Sequence, residues 1–203
     1  MLIRTHIGVS LDGFVATPEG APAWDAVSTF GPASHGQPEL EKDICAIVVG
    51  RTSFDQGYKD WLPHWPWPDM PVYVLTSRPL PHDVRAGVIA SRGGPAGLIE
   101  QLRSAYLSRD VHVLGGPRVI QAFMKLGALD LLDIVVLPVL LGKGIPLFAI
   151  EPTMFSSEAW SASQAAPPKS AVHPMLPLEQ HRVFPDGAVQ LIYRTRTKEV
   201  RSS

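Results

Sequence analysis

The sequence has a single cysteine, Cys45, in 203 residues. That excludes an internal disulfide framework and any zinc site built on two or more thiolates. Neither charge is in excess: 18 basic residues stand against 19 acidic ones, for a net charge of −1. A chain so balanced has no bulk pull on nucleic acid or anionic lipid, so neither is expected as a partner. Long apolar runs are missing as well. The most apolar stretch, 131–148, carries Asp133, Lys143, two prolines and two glycines, and would make a poor membrane span. The opening MLIRTHIGVSLDG has no apolar h-region, and a soluble, cytoplasmic protein is expected. No repeat is visible at periods of 20–50 residues. The seven histidines include no i, i+4 pair, so no metal site is expected. The glycine-rich dinucleotide fingerprint before a helix, the P-loop and the nucleophile-elbow pattern are all absent.

What the chain does have is proline. It holds 20 prolines and 17 glycines, below the combined share of roughly 25–30% that marks low complexity. The prolines therefore punctuate a folded chain with a mean hydropathy of +0.09. Six fall between Pro63 and Pro81, and six between Pro152 and Pro185. Short β-branched runs predict strands at 2–9, 45–49, 71–75, 87–90, 111–114 and 132–138. Most lack polar alternation, as expected of strands buried on both faces of a parallel sheet. Helices are predicted at 95–108 and 117–126, where apolar residues recur at helical spacing and Pro95 and Pro117 sit near the starts. Shorter helices are expected near 38–43 and 53–57, the latter with Thr52 and Asp55 in a capping arrangement. Asp186-Gly187 between two β-rich runs signals a terminal hairpin. The pattern is α/β, a mainly parallel sheet with an antiparallel edge. One domain over 1–196 is expected, with 162–177 as a surface loop or insertion and 197–203 as a flexible tail.

Chemistry is expected at the carboxyl ends of the strands, where open α/β sheets bind ligands. Four such ends carry small or polar residues. Ser10-Leu11-Asp12-Gly13 is either a turn or a carboxylate and hydroxyl facing a substrate. Gly50-Arg51-Thr52 offers close backbone approach, a guanidinium fork and a helix start, or simply a helix cap. Thr76-Ser77-Arg78-Pro79 could hold a phosphate monoester or form a polar turn. Gly115-Gly116-Pro117-Arg118 could admit a pyrophosphate at a helix N-terminus or be a tight turn. The cluster Trp61 to Trp67 is a pocket wall, a subunit contact, or a loop packed on its own domain.

Taken in order, SLDGFVA, VVGRTSF, VYVLTSRP, VHVLGGPRVIQAF and LPVLLGKGIPLF resemble the dihydrofolate reductase-like superfamily. The branch is similar to the C-terminal reductase domain of bacterial riboflavin biosynthesis. The resemblance implies a three-layer fold with a central sheet of about eight strands, an NADPH site and a homodimer. It implies that Gly50, Arg51 and Thr52 hold the pyrophosphate region, and that Thr76, Ser77 and Arg78 face the adenosine 2′-phosphate. Gly115, Gly116, Pro117, Arg118 and Val119 would pack along the pyrophosphate and nicotinamide ribose. Leu140 to Gly144 would close part of the wall. Ser10, Asp12, Trp24, Leu114 and Gly142 would face the substrate, with the proton drawn from Asp12 or from solvent. Leu114 stands where the riboflavin-pathway reductases usually carry glutamate. The implied function is NADPH-dependent reduction of a small heterocyclic substrate, pterin- or pyrimidine-like. A pyrimidine reductase of riboflavin synthesis and a non-catalytic nucleotide-binding module are the alternatives.

Overall fold

The structure is a computed structural model and describes residues 1–31, 33–106, 108–148 and 175–195. Most of the expected loop at 162–177, and the tail, lie outside the described residues. The parallel strands are β1 (Ile3–Ser10), β3 (Ile44–Gly50), β4 (Val72–Leu75), β5 (Val88–Ser91), β6 (Asp110–Gly115) and β7 (Leu131–Leu137). Each lies within a residue or two of its sequence expectation. The hairpin is β9 (Leu178–Val183) and β10 (Val189–Arg194), turning at Pro185-Asp186-Gly187. Together they form one eight-stranded sheet in the order β5-β4-β3-β6-β1-β7-β10-β9. Only β10 and β9 run antiparallel to their neighbours. A second, two-stranded antiparallel sheet pairs β2 (Phe14–Ala16) with β8 (Ile145–Pro146), and gave no signal in the sequence.

Helices cover both faces. Leu40 of α1 (Gln37–Asp43) and Phe54 of α2 (Arg51–Trp61) bury against Ile44, Ile47 and Val49 of β3. On the opposite face, Leu98 and Leu102 of α3 (Gly94–Ala105) join Ile120 and Phe123 of α4 (Pro117–Lys125) against Ala46 and Val48. The alternation along β3 thus divides its side chains between two apolar layers. Three layers result, as the resemblance implied.

Two local expectations change. The 53–57 helix runs from Arg51 to Trp61, and its N-cap is Gly50, with no side-chain cap bond. Thr52 is not a cap. Asp55 instead pairs with Arg51 at 2.6 Å, because a guanidinium one helical turn away offers a stronger partner than a hydroxyl. The tryptophan cluster packs on its own domain. Trp67 is buried beside Phe54, Ile47 and Val72, and Trp61 and Trp65 meet it edge-on at 5.2 and 5.6 Å between ring centroids.

Candidate functional site

Chain direction places the site. From β3 the chain crosses by α2 to β4 on one side, and from β6 it crosses by α4 to β7 on the other. Crossovers of one hand in opposite directions put α2 and α4 on opposite faces. A crevice therefore opens between the carboxyl ends of β3 and β6, with a helix N-terminus on each side.

The glycines make this crevice narrow. A Cβ on Gly50 would lie 2.9 Å from Val119 Cγ2 and 3.5 Å from the Gly116 nitrogen. A Cβ on Gly116 would lie 2.8 Å from Ser53 Oγ. Gly115 has φ +135°, which L side chains rarely adopt, and is joined to Gly116 by a cis peptide bond. The Gly50 and Gly115-Gly116 loops thus touch through their backbones. Gly50→Ala should weaken packing at Val119, by about 1–3 kcal/mol for an overpacked methyl. Denaturant unfolding at pH 7 measures it, and an unchanged midpoint would contradict the close approach.

Neither α2 nor α4 has a side chain bonded to its first N–H groups. The first N–H groups of α2 remain for an anion, while α4 offers the Arg118 N–H, since Pro117 has none and the Val119 N–H donates to the Gly116 carbonyl at 2.9 Å. Arginines gather along the same edge of the sheet. Arg118 opens α4, is exposed, and meets no charged partner among the described residues. Arg78, at the end of β4, is largely exposed, with Nη2 3.6 Å from Asp55 Oδ2. Arg92 follows β5, is exposed, and also meets no acid among the described residues. It was missed in the sequence. The available signal was a basic residue directly after a strand end, beside two glycines that precede a helix. The Thr76 N–H donates to the Ser91 carbonyl at 3.1 Å, so the Arg78 and Arg92 loops are immediate neighbours.

Two expected contacts are used inside the protein. The Arg51 guanidinium donates to Asp55 through Nε, at 2.6 Å, and to the Pro79 carbonyl through Nη1, at 2.8 Å. It staples the loop after β4 to α2. Thr76 Oγ1 accepts from the Arg78 N–H at 3.0 Å and donates back to the Arg78 carbonyl at 3.1 Å. It closes its own turn. Ser77 remains exposed at the tip.

Beyond β6 the edge continues into the loops after β1 and β7. Ser10 Oγ donates to Asp12 Oδ1 at 2.6 Å and accepts from the Phe14 N–H at 2.9 Å. The Leu141 and Gly142 N–H groups donate to the Asp12 carboxylate at 3.2 and 2.7 Å. The Ser10 hydroxyl and these amides hold the Asp12 carboxyl below its ordinary value. Such a group is an acceptor and a loop anchor, and the geometry speaks against Asp12 as a proton donor. Because the depressed pKa belongs to the folded state, the anchor is present above the unfolded carboxylate value and is lost as pH falls through the lower folded one. Asp12→Asn should therefore expose the Leu141 and Gly142 amides to faster hydrogen exchange at neutral pH. Unchanged protection at both amides would count against the anchor.

Trp24 lies over β1, where a Cβ on Gly8 would meet its Cε3 at 3.2 Å and Phe30 Cζ at 3.4 Å. Trp24 and Phe30 are stacked, 6.0 Å between centroids. Leu114 is half-buried on the α1/α2 face. Ser10, Asp12 and Gly142 are joined directly, while Trp24 and Leu114 contribute from the α1/α2 side of the same edge. Among the described residues no group of three or more His, Cys, Asp or Glu side chains is arranged for a metal ion. No described helix is long and apolar enough to cross a membrane.

The family model of the RibD C-terminal domain matches residues 2–162. The chain belongs to the RibD C-terminal domain family. A curated relative, the uncharacterized protein YwjB of Bacillus subtilis, is 31% identical over 144 residues, which is 70% of this chain and 80% of that one. A putative riboflavin biosynthesis protein from Shewanella superposes with a TM-score of 0.73 at 24% identity, covering 96% of this chain and 98% of that one. Dihydrofolate reductase from Enterococcus faecalis, solved with NADP(H), gives a TM-score of 0.60 at 18% identity, with 95% of each chain covered. A deaminase/reductase from Thermotoga maritima gives 0.62 at 16% identity, and this chain spans 56% of its length. The fold is therefore dihydrofolate reductase-like, and RibD-type reductases are among the chains it resembles.

Proposed function

We propose that this RibD C-terminal domain protein is an NADPH-dependent reductase of a small heterocyclic substrate, pterin- or pyrimidine-like. One observation carries the reading. Two helix N-termini without side-chain caps flank the abutting Gly50 and Gly115-Gly116 backbones, on an edge where Arg78, Arg92 and Arg118 have few or no partners. Those donors suit a ligand with several phosphates, one of them a monoester, better than they suit an unphosphorylated one. The residues present fit a dinucleotide. When bound, its nicotinamide supplies the hydride.

The chain's own groups bind, orient and exclude water. The first N–H groups of α2, and the Arg118 N–H and guanidinium at the start of α4, would hold the pyrophosphate. Arg78, Ser77 and Arg92 would hold the 2′-phosphate. Asp12 fixes the loop 140–144 beside the expected nicotinamide end, and the proton comes from solvent. Trp24 and Leu114 would set the shape of the substrate pocket. A homodimer belongs to the proposal, in a cytoplasmic protein. β9 is exposed along its whole length at the sheet edge and has neither proline nor lysine to blunt it. Sedimentation at several concentrations should show a two-chain species.

Titrating the purified protein with NADPH and with NADH tests the cofactor. NADPH should bind at least tenfold more tightly, and no binding of either would remove the proposal. NADPH oxidation across pterins, pyrimidines and cyclic imines then tests turnover. Tight NADPH binding with no oxidation against any of them would favour a nucleotide-binding module.

A further inference from the structure

Beneath α1 lies a row of buried polar side chains that the proposed reaction does not use. α1 crosses the strands. At its start, a Cβ on Gly36 would lie 2.6 Å from Gln190 Nε2 on β10. At its end, Asp43 stands 3.6 Å from Arg4 Nη1 on β1. The row between these points is well bonded on one side. Gln190 Nε2 donates to both Asp133 oxygens at 2.9 Å, and Asp133 also binds His6 Nδ1 at 2.9 Å. Asp133 is 1% exposed and His6 6%.

On the other side the bonding stops. Arg4 Nε, His6 Nε2, and His112 Nδ1 and Nε2 are all buried and have no partner in hydrogen-bond geometry among the described residues, the His6 main chain lying beside the His112 ring without closing one. They are neighbours. Arg4 and His112 face each other across β1 and β6, and His6 is the next residue along the same face of β1. The His112 ring lies within electrostatic reach of both Arg4 and His6. Buried polar atoms in native proteins nearly always have partners, and several bare nitrogens at one place call for a common one.

The inventory of donors and acceptors identifies that partner. Arg4 Nε carries a hydrogen and only donates. In the neutral tautomer that gives its Nδ1 hydrogen to Asp133, His6 offers a lone pair at Nε2, which accepts. Neutral His112 has one donor and one acceptor. The set therefore holds two donors and two acceptors. An anion would meet the donors and repel the lone pairs, while a cation would do the reverse. Water does both. We propose that this row is an internal water site, in which bound water links Arg4, His6 and His112 beneath α1.

The test is NMR on the labelled full chain. Carbon-bound ring protons of His6 and His112 should show cross-peaks to the water resonance with the sign of a long-lived complex. Oxygen-17 relaxation dispersion should count at least one long-lived water fewer in His112→Phe, whose ring fills the space without a polar atom. Should that variant fail to fold, the wild-type cross-peaks decide. Their absence overturns the proposal. So does a saturable shift of these ring signals with sodium chloride or zinc chloride, which would make the site an ion's. The outcome is independent of whether NADPH binds.

Discussion

Replacing Arg78 and Arg92 together by alanine should raise the Kd for NADPH by about 10²–10⁴-fold and leave that for NADH within about twofold. Each guanidinium removed forfeits a charge-assisted bond to a phosphate monoester, worth roughly 1.5–3 kcal/mol, or about 10–100-fold. The two loops end adjacent parallel strands, with Leu75 opposite Ser91, and on that ground both arginines are assigned to one phosphate. Neither is needed for the fold. Arg78 has only a 3.6 Å contact to Asp55, and Arg92 meets no charged partner among the described residues. Isothermal titration of both cofactors against the double variant and each single variant is the measurement. An equal loss for NADPH and NADH would mean that the arginines act on the pyrophosphate or on the fold, and the assignment to the 2′-phosphate would fall. The salt dependence gives a second check, since it should flatten for NADPH in the double variant.

The second large effect is on acid stability. His112 is buried and its pKa is lowered to about 3 by that burial, with the neighbouring His6 and Arg4 side chains adding to the effect and the His6 main chain opposing it. The unfolded chain takes up a proton at this position near pH 6.5, whereas the folded one does not until about pH 3. Between those values the unfolded state binds more protons, so stability falls as pH falls, by roughly 1.4 kcal/mol per unit for one group. That amounts to about 2 kcal/mol between pH 6.5 and 5. The depressed carboxylates Asp12 and Asp186 have ordinary values near 3.8 and act below this window. His112→Gln keeps an amide donor and acceptor and cannot titrate. Urea unfolding at pH 7 and pH 5 should show a loss in the wild type that the variant lacks by about 2 kcal/mol. Equal losses in the two proteins would place the acid sensitivity elsewhere.

The frame was legible because it is written locally. The run CAIVV is apolar without alternation and VHVL is broken only by His112, and that suffices to call β3 and β6 buried on both faces. Glycine pairs after strand ends locate the crevice, because only a residue without a side chain lets Gly50 meet Val119. The pairing of side chains was not legible, because it depends on residues distant in sequence. Asp12 and Gly142 are 130 residues apart, and nothing near either one announces their bond. Arg51 has a phosphate-binding look at the start of α2, yet the Pro79 carbonyl, 28 residues on, takes one of its donors. The polar row beneath α1 draws its members from four strands. In the sequence His112, Asp133 and Gln190 are single polar letters inside apolar runs and His6 follows Arg4-Thr5, and only the register of the sheet brings them together.

The four tryptophans among the described residues fall into two optical regions. Trp61, Trp65 and Trp67 sit within 6.5 Å of one another at steep angles beside β3 and β4. Rings so close and so inclined couple their transitions, so this group should dominate the near-ultraviolet dichroism and report whether the β3–β4 side is packed. Trp24 stands apart, stacked on Phe30 above Gly8 at the expected substrate end. A ligand arriving there should perturb one indole and leave the coupled three unchanged. Emission and dichroism read in parallel would separate occupancy of the pocket from loosening of the fold, without any added label.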